Sequence, residues 1–192
     1  MTKLCIKNMV CPRCIMVVER ELKELGLPAE HVELGIAEFE STLTEQQVAA
    51  ISSRLVPLGF ALLNDTKHKQ VEQIKNLLIG LLQQGGIEPH FSVKKFLSVN
   101  ISKEYSYLSK MFSEKEGITI ENYFILLKLE KVKELITYGE ETLNEIAWRL
   151  GYSSVQHLSS QFKRVLGMST TSFKTSLTEK RKSIDGIGAK AT

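Results

Sequence analysis

Two cysteines three residues apart stand near the start of the chain, in the segment M-V-C-P-R-C that ends at Cys14. Two thiolates at this spacing, in a loop that leads into a helix, can both reach one soft ion. The helix N-terminus is expected to favour the anionic thiolate. Two sulfur ligands suit linear Cu(I) and leave a tetrahedral Zn(II) site half filled. The cofactor that Cys11 and Cys14 would hold is therefore Cu(I) or Zn(II).

Two other interpretations of this cysteine pair stay open. The motif C-P-x-C beside a strand and a helix also occurs in redox dithiols, although so short a domain cannot hold a thioredoxin fold. The third interpretation is a protein-interaction or dimerisation module whose cysteines do nothing essential. Cys5 lies on the predicted first strand. His31 and His68 are distant candidates for further ligands and are better explained as surface residues.

Residues 142–173 have the pattern of a short helix, a tight turn and a second helix. Thr142 begins the first helix with a capping box, Gly151 ends it, and Ser153 is placed to cap the second. The second helix has one polar face and one apolar face at helical spacing. The apolar face consists of Val155, Leu158, Phe162 and Val165. This is how a helix-turn-helix enters the major groove of DNA, and a helical hairpin in an all-α core is the alternative.

The same pattern occurs a second time, because residues 96–119 resemble residues 146–169 at an offset of fifty. Leu108 corresponds to Leu158, and Gly117 corresponds to Gly167. Two such units are hard to explain by core packing, whereas they make sense as readers of successive major-groove faces.

The boundaries of the first unit follow from local signals. The sequence predicts a turn at Asn100 and a recognition helix capped by Ser102. Thr119 is expected to cap a long helix, 121–138, that joins the two units.

The paired units resemble the DNA-binding domain of the AraC/XylS family of bacterial transcription regulators. The resemblance runs from about Ile87 to Thr175 and is carried by YLSKMFSEKEGITIENYFILLKLEKVKELI and LNEIAWRLGYSSVQHLSSQFKRVLGMSTTSFK. The family usually has Arg where Lys128 stands and Ala where Val132 stands. It usually has Pro near Thr170 and Thr171. These departures put only the detailed phosphate contacts in doubt, since Lys128 keeps the charge and loses the planar fork of Arg.

The resemblance implies that the outer face of each recognition helix contacts DNA. The residues that would face base edges are Ser106, Ser109 and Lys110 in the first unit, and Gln156, Ser159 and Ser160 in the second. The residues that would contact phosphates are Lys103, Lys163 and Arg164.

Residues 1–64 are predicted to fold as a ferredoxin-like βαββαβ sandwich, from alternating apolar strands and two amphipathic helices. This order and the motif M-x-C-x-x-C resemble the heavy-metal-associated domain of copper chaperones and metal-transporting ATPases. Cys11 and Cys14 match its metal-binding thiolates, and Met9 matches the Met beneath its loop. Asn8 replaces the usual Gly, and Val10 replaces the usual Thr, which puts metal binding in doubt.

The remaining segments divide the chain. Residues 65–86 are predicted to form a linker helix that ends at Gly85-Gly86, and it would serve either as a dimer helix or as packing for its neighbours. The AraC-type domain that the resemblance implies spans residues 87–177, and residues 178–192 are expected to be a disordered tail. The fold class is therefore α+β, a ferredoxin-like domain followed by an all-α DNA-binding domain.

Composition sets the broad class of protein. There is no apolar run of about 18 residues and no signal-peptide core, so we expect a cytoplasmic protein with no membrane partner. Basic residues outnumber acidic ones only from residue 65 onward, with the larger excess after residue 87. No catalytic motif stands out, so the expected function is a non-enzymatic transcription regulator whose partner is double-stranded DNA. Homodimerisation and a soft metal effector are open, and a metal-handling or redox-sensing dithiol protein is the alternative.

Overall fold

The computed structural model describes residues 1–176 and divides the chain into two compact units, of which the first is Met1–Leu77. The second unit begins at Leu78. The tail over 178–192, predicted to be disordered, lies outside the described residues.

A four-stranded antiparallel sheet with two helices forms the first unit. Its elements are β1 Thr2–Lys7, α1 Pro12–Glu24, β2 His31–Glu33, β3 Ile36–Phe39, α2 Glu45–Leu55 and β4 Ala61–Leu63. The strand order is β2-β3-β1-β4, so β1 pairs with both β3 and β4. The two helices contribute apolar side chains such as Val18 and Ile51 to a single core that also contains Ile6 of β1.

Local signals explain where the elements of this unit begin and turn. Thr44 and Gln47 form the predicted capping box at the start of α2. Gly35, with φ +80°, makes the tight connection between β2 and β3.

Arg54 of α2 pairs with the nearly buried Glu21 of α1, and hydrogen bonds from Arg20 and then Arg54 hold the pKa of that carboxyl below its usual range. The two helices are therefore joined by charge as well as by apolar packing.

The helix predicted over 67–84 is α3, Thr66–Gln84. It is one continuous helix, and its residues up to Leu77 belong to the first unit. Its apolar stripe is buried at Val71, Ile74, Leu78 and Leu82.

Six helices form the described part of the second unit beyond α3. They are α4 Val93–Asn100, α5 Tyr105–Glu116, α6 Ile120–Tyr138, α7 Leu143–Arg149, α8 Val155–Leu166 and α9 Thr170–Ser176. The predicted cap of α6 is confirmed, because the Thr119 side chain accepts a hydrogen bond from the backbone N–H of Asn122. The turn predicted at Asn100 is wrong by one residue: Asn100 still belongs to α4, and its side chain donates to the Phe96 carbonyl. None of the described helices combines the length and the apolar character needed to cross a membrane.

The turn between α7 and α8 depends on Gly151, whose φ is +69°. A Cβ atom there would lie 2.8 Å from the Glu88 carbonyl oxygen and 2.9 Å from the Ile87 carbonyl oxygen. The same segment is held by a hydrogen bond from the Ile87 N–H to the Arg149 carbonyl. Glycine is therefore required at this position both by its backbone conformation and by the close approach of another backbone.

Replacing Gly151 by Ala should destabilise the second unit more than replacing Gly139 by Ala. Gly139 has φ +71° but nothing within 4 Å of its Cβ position, so it should lose only the backbone cost of about 1–2 kcal/mol. The clash with backbone atoms at Gly151 should add about 1–3 kcal/mol. Urea unfolding of both variants measures the difference in the free energy of unfolding. Equal losses of stability would contradict the prediction and would show that residues 87–88 move away from the new side chain at little cost.

Candidate nucleic-acid interface and thiol loop

The second unit contains an internal repeat, because its helices recur at an offset of fifty residues. The helix α4 begins after Ser92 and α7 after Thr142, and both caps accept a hydrogen bond from the backbone N–H three residues on. The helices α5 and α8 each have 12 residues and end at a glycine with φ +75°, Gly117 and Gly167. The predicted repeat is therefore present as two helix-turn-helix arrangements of the same length.

The helix α8 is capped one residue later than predicted. Ser154 is the N-cap, and its Oγ accepts a hydrogen bond from the backbone N–H of His157 at 3.0 Å. The hydroxyl of Ser153, the predicted cap, lies 3.2 Å from Nδ1 of the same histidine. Sequence signals could not separate two adjacent serines that are both good caps.

One face of α8 is buried and the other is exposed. Leu158 and Phe162 are fully buried, as predicted. The DNA-facing residues predicted here are mostly exposed: Gln156, Ser160, Lys163 and Arg164 are exposed, and Ser159 is half-buried. Val165 was predicted to face the core but is 38% exposed, because it lies in the last turn, just before the chain leaves at Gly167.

The helix α5 begins at Tyr105, later than the cap predicted at Ser102. The chain between α4 and α5 makes a tight turn in which the Lys103 N–H donates to the Ile101 carbonyl, so Ser102 lies outside the helix. Glu104 is the N-cap and makes no side-chain capping bond. The predicted DNA-facing residues Lys103, Ser106 and Lys110 are exposed, and Ser109 is half-buried.

The helices α5 and α8, which correspond to each other in the repeat, differ in charge. The helix α8 carries Lys163 and Arg164 and no acidic residue. The helix α5 carries two lysines, which Glu114 and Glu116 offset, and Glu104 stands at its N-terminus. Because the N-terminus of a helix attracts anions, a phosphate would be favoured at α8, whereas at α5 it would meet the carboxylate of Glu104.

Lys128 is half-buried, and its ammonium group contacts the fold itself. Its Nζ lies 4.0 Å from the centroid of the Tyr152 ring and 3.4 Å from the Leu150 carbonyl oxygen, to which it donates. Burial lowers the pKa of Lys128 to about 8. Burial raises the pKa of Tyr152, whose hydroxyl donates to Gln161 Oε1 at 2.7 Å. Lys128 therefore supports the turn before α8. The comparison with the family, which usually has Arg at this position, did not suggest that role.

The two cysteines of the thiol loop, residues 8–14, are close together. Cys11 is the N-cap of α1, and its Sγ lies 3.3 Å from the Sγ of Cys14. Both are half-buried free thiols, and Met9 of the same loop is fully buried in the core of the first unit. Burial raises the pKa of Cys14 and outweighs the backbone hydrogen bonds at Val10 and Cys11, which lower it.

The distant ligand candidates are engaged elsewhere. His31 lies 4.0 Å from Glu33, and Nδ1 of His68 lies 2.8 Å from Asp65. Over residues 1–176, no group of three or more His, Cys, Asp or Glu side chains is arranged to hold a metal ion. An ion in this loop would therefore depend on the two thiols, which are close enough to contact one soft ion together.

Comparison with known proteins supports the resemblance of the helical region to AraC-type regulators. Residues 99–176 match the family model described as "Helix-turn-helix domain". The chain is 25% identical over 134 residues to a probable transcriptional regulator, LumQ, of Photobacterium leiognathi, covering 70% of this chain and 52% of that protein. It is 26% identical over 133 residues to the HTH-type transcriptional activator RhaS of Escherichia coli O1:K1, covering 67% and 48%.

The chain thus spans about half the length of the curated relatives it matches. Both relatives are named as transcriptional regulators, which agrees with the prediction of a non-enzymatic regulator. Among solved structures, the chain is similar to the C-terminal domain of AraT, a response regulator from Geobacillus stearothermophilus. That similarity has a TM-score of 0.49 and 21% identity, and it covers 59% of this chain and 90% of that one.

Replacing Lys128 by Met should change how stability depends on pH. The pKa of Lys128 is about 8 in the folded chain and 10.5 ordinarily, so below pH 8 folding buries a cation at a cost. That cost disappears as pH rises from about 8 to 10.5, and the free energy of unfolding of the wild type should rise by about 1–3 kcal/mol relative to Lys128→Met. Unfolding curves across this range measure it, with Lys94→Met on the exposed face of α4 as the control for a lost charge. Parallel curves for wild type and Lys128→Met would contradict the prediction.

Proposed function

We propose that this chain is a sequence-specific DNA-binding transcription regulator that places α5 and α8 in successive faces of the major groove. The observation that carries the proposal is the second helix-turn-helix, in which α8 buries one apolar face and presents an exposed, acid-free polar face. The match of residues 99–176 to a helix-turn-helix domain supports it.

Base reading would depend on a few side chains that are long and exposed. The amide of Gln156 can pair with adenine through two hydrogen bonds, and Lys110 can reach the O6 or N7 of guanine. Each such contact discriminates against the wrong base by roughly 1–3 kcal/mol. Ser106 and Ser160 can accept or donate and specify little, and Ser109 and Ser159 are half-buried. DNA shape would therefore supply part of the sequence preference.

Phosphate contacts would hold the protein in register on the duplex. Lys163 and Arg164 lie toward the end of α8, and Lys103 lies in the turn before α5. The capped N-terminus of α8 adds backbone N–H groups that favour a phosphate. Because α8 carries net positive charge and α5 does not, we infer that the second unit supplies more of the binding free energy.

A second candidate activity belongs to the first unit. We infer that it is a ferredoxin-like domain, from its strand-helix-strand-strand-helix-strand sequence of elements and its strand order β2-β3-β1-β4. We also infer that this domain binds a soft ion. The proposal is supported by the two thiols, whose sulfurs lie 3.3 Å apart in a loop that also contains the buried Met9. Cys11 and Cys14 would hold Cu(I), or Zn(II) more weakly because two sulfurs do not complete its tetrahedron. The ion would serve as an effector of DNA binding.

The DNA-binding proposal is tested by selecting preferred sites from random duplexes and then measuring variants on the selected site. Gln156→Ala should lose preference at one base position, by about 1–3 kcal/mol, because its base-pairing amide is gone. Lys163→Ala should weaken binding uniformly across sequences and reduce the slope of log K against log salt by about one.

The matched control is Gln46→Ala, which removes an exposed glutamine from α2 and should leave both quantities unchanged. Lys110→Ala should cost less affinity than Lys163→Ala if the second unit dominates. Failure to enrich any site, with the full chain folded and reduced, would overturn the proposal. A uniform loss in Gln156→Ala would reassign that residue to phosphate contact.

The metal proposal is tested by titrating the reduced protein with Cu(I) against a chromophoric chelator. Wild type should bind one equivalent, and Cys11→Ser and Cys14→Ser should each lose it, because one thiolate cannot compete with the chelator. Cys5→Ser removes the third thiol and should bind as wild type does. Equal binding by all four proteins would contradict a site at the thiol loop.

A further inference from the structure

The residue that precedes the buried Met9 is held by three contacts at once. The backbone N–H of Asn8 donates to Glu72 Oε1 at 3.0 Å, and its side-chain Nδ2 donates to the Gly59 carbonyl at 2.8 Å. Its carbonyl oxygen lies 4.0 Å from the Sγ of Cys14, at the outer limit for a thiol hydrogen bond. Asn8 also has φ +72°, a conformation that Asn tolerates better than most residues. A change at the Cys14 sulfur therefore affects the carbonyl of Asn8, a residue whose backbone N–H is already held by Glu72.

Glu72, which holds the N–H of Asn8, lies on α3. Glu72 is only 7% exposed, so its carboxylate is a buried acceptor. The same helix approaches the β2–β3 turn so closely that a Cβ on Gly35 would lie 1.9 Å from Asn76 Nδ2. The helix then continues to Gln84, past the boundary of the first unit at Leu77. The thiol loop is thus hydrogen-bonded to a helix that extends beyond the first unit.

Oxidation of the thiol pair would alter this arrangement. The two sulfurs are 3.3 Å apart, whereas a disulfide requires about 2.0 Å, so they must approach by more than 1 Å. The disulfide also removes the S–H group of Cys14, so the Asn8 carbonyl loses that donor. Pairs of cysteines spaced C-x-x-C at a helix N-terminus are favourable for this reaction.

We propose that Cys11 and Cys14 form a reversible disulfide and that Asn8 and Glu72 transmit the state of the pair to α3. The oxidant is a low-molecular-weight disulfide such as oxidised glutathione. One cysteine thiolate attacks it and releases one small thiol, and the second cysteine then attacks the mixed disulfide and releases the other. The protein loses two electrons and two protons, and the small disulfide gains both. Glu72 acts as a positioning residue, and an effect on DNA affinity rests on the proposed DNA-binding function.

The first experiment equilibrates the full chain with glutathione redox buffers in the presence of a metal chelator. Wild type should lose two hydrogens by intact mass, and Cys11→Ser and Cys14→Ser should not. Cys5→Ser should behave as wild type does. Failure of Cys5→Ser to form an internal disulfide would overturn the proposal.

The second experiment measures the reduction potential without DNA. If the Asn8–Glu72 bond is stronger in the reduced form, Glu72→Ala should favour the disulfide by roughly tenfold, which corresponds to a potential about 30 mV more negative. Glu72→Gln keeps an acceptor of the same shape and should shift the potential less, and it replaces Glu72→Ala if that variant unfolds. Glu19→Ala, on the exposed face of α1, is the matched control. Faster amide exchange of Asn8 in the oxidised wild type is also expected, and an unshifted potential in both Glu72 variants would overturn the role of Glu72.

The third experiment compares the DNA affinity of oxidised and reduced protein on a selected site. Wild type should differ between the two states, and Glu72→Ala should reduce that difference. By reciprocity, DNA should shift the reduction potential of the pair by the same factor. If neither state binds DNA, the proposed function fails, while the second experiment still decides the coupling to α3. Equal affinities in both states would overturn the regulatory part of the proposal.

Discussion

The helical unit depends on the burial of α6, which lies between the two helix-turn-helix arrangements in the sequence. Ten of its 19 residues are buried, and they occur all around the helix and not along one stripe. They include an ion pair, Lys133 and Glu130, at 3.3 Å. A helix that is covered on most sides cannot slide or rotate without breaking packing on several neighbours at once. The spacing between α5 and α8 is therefore set by the packing of the core.

The sequence predicted those elements that local chemistry determines. The capping boxes at Thr44 and Thr142 and the cap at Thr119 are all present. A threonine just before a helical apolar pattern is a signal that can be identified in the sequence, because its hydroxyl accepts a hydrogen bond from a backbone N–H in the first turn. The fifty-residue repeat was also visible, since each helix retained its apolar spacing. The errors at Ser102 and Ser153 concern boundaries, where the choice depends on turn geometry that a propensity cannot resolve.

The contacts that sequence analysis missed join residues far apart in the chain. Glu72 and Asn8 are 64 residues apart, and no periodic pattern relates them. The change from Arg to Lys128 was expected to affect only phosphate contacts, whereas the structure places its half-buried ammonium against the Tyr152 ring. The one available signal was an asparagine where glycine is usual, which indicated a left-handed residue at the thiol loop. The base and phosphate roles of the exposed side chains remain predictions.

The repeat has a consequence for the kind of DNA site that would suit this chain. Its two copies follow one another in the same direction along the polypeptide, and one carries Lys163 and Arg164 where the other carries Ser113 and Glu114. A tandem pair of unequal members has no twofold axis, unlike a symmetric dimer on a palindrome. The DNA site that such a chain would occupy is therefore asymmetric and has a defined direction. Turning that site around relative to a promoter would change which end of the protein faces the transcription machinery.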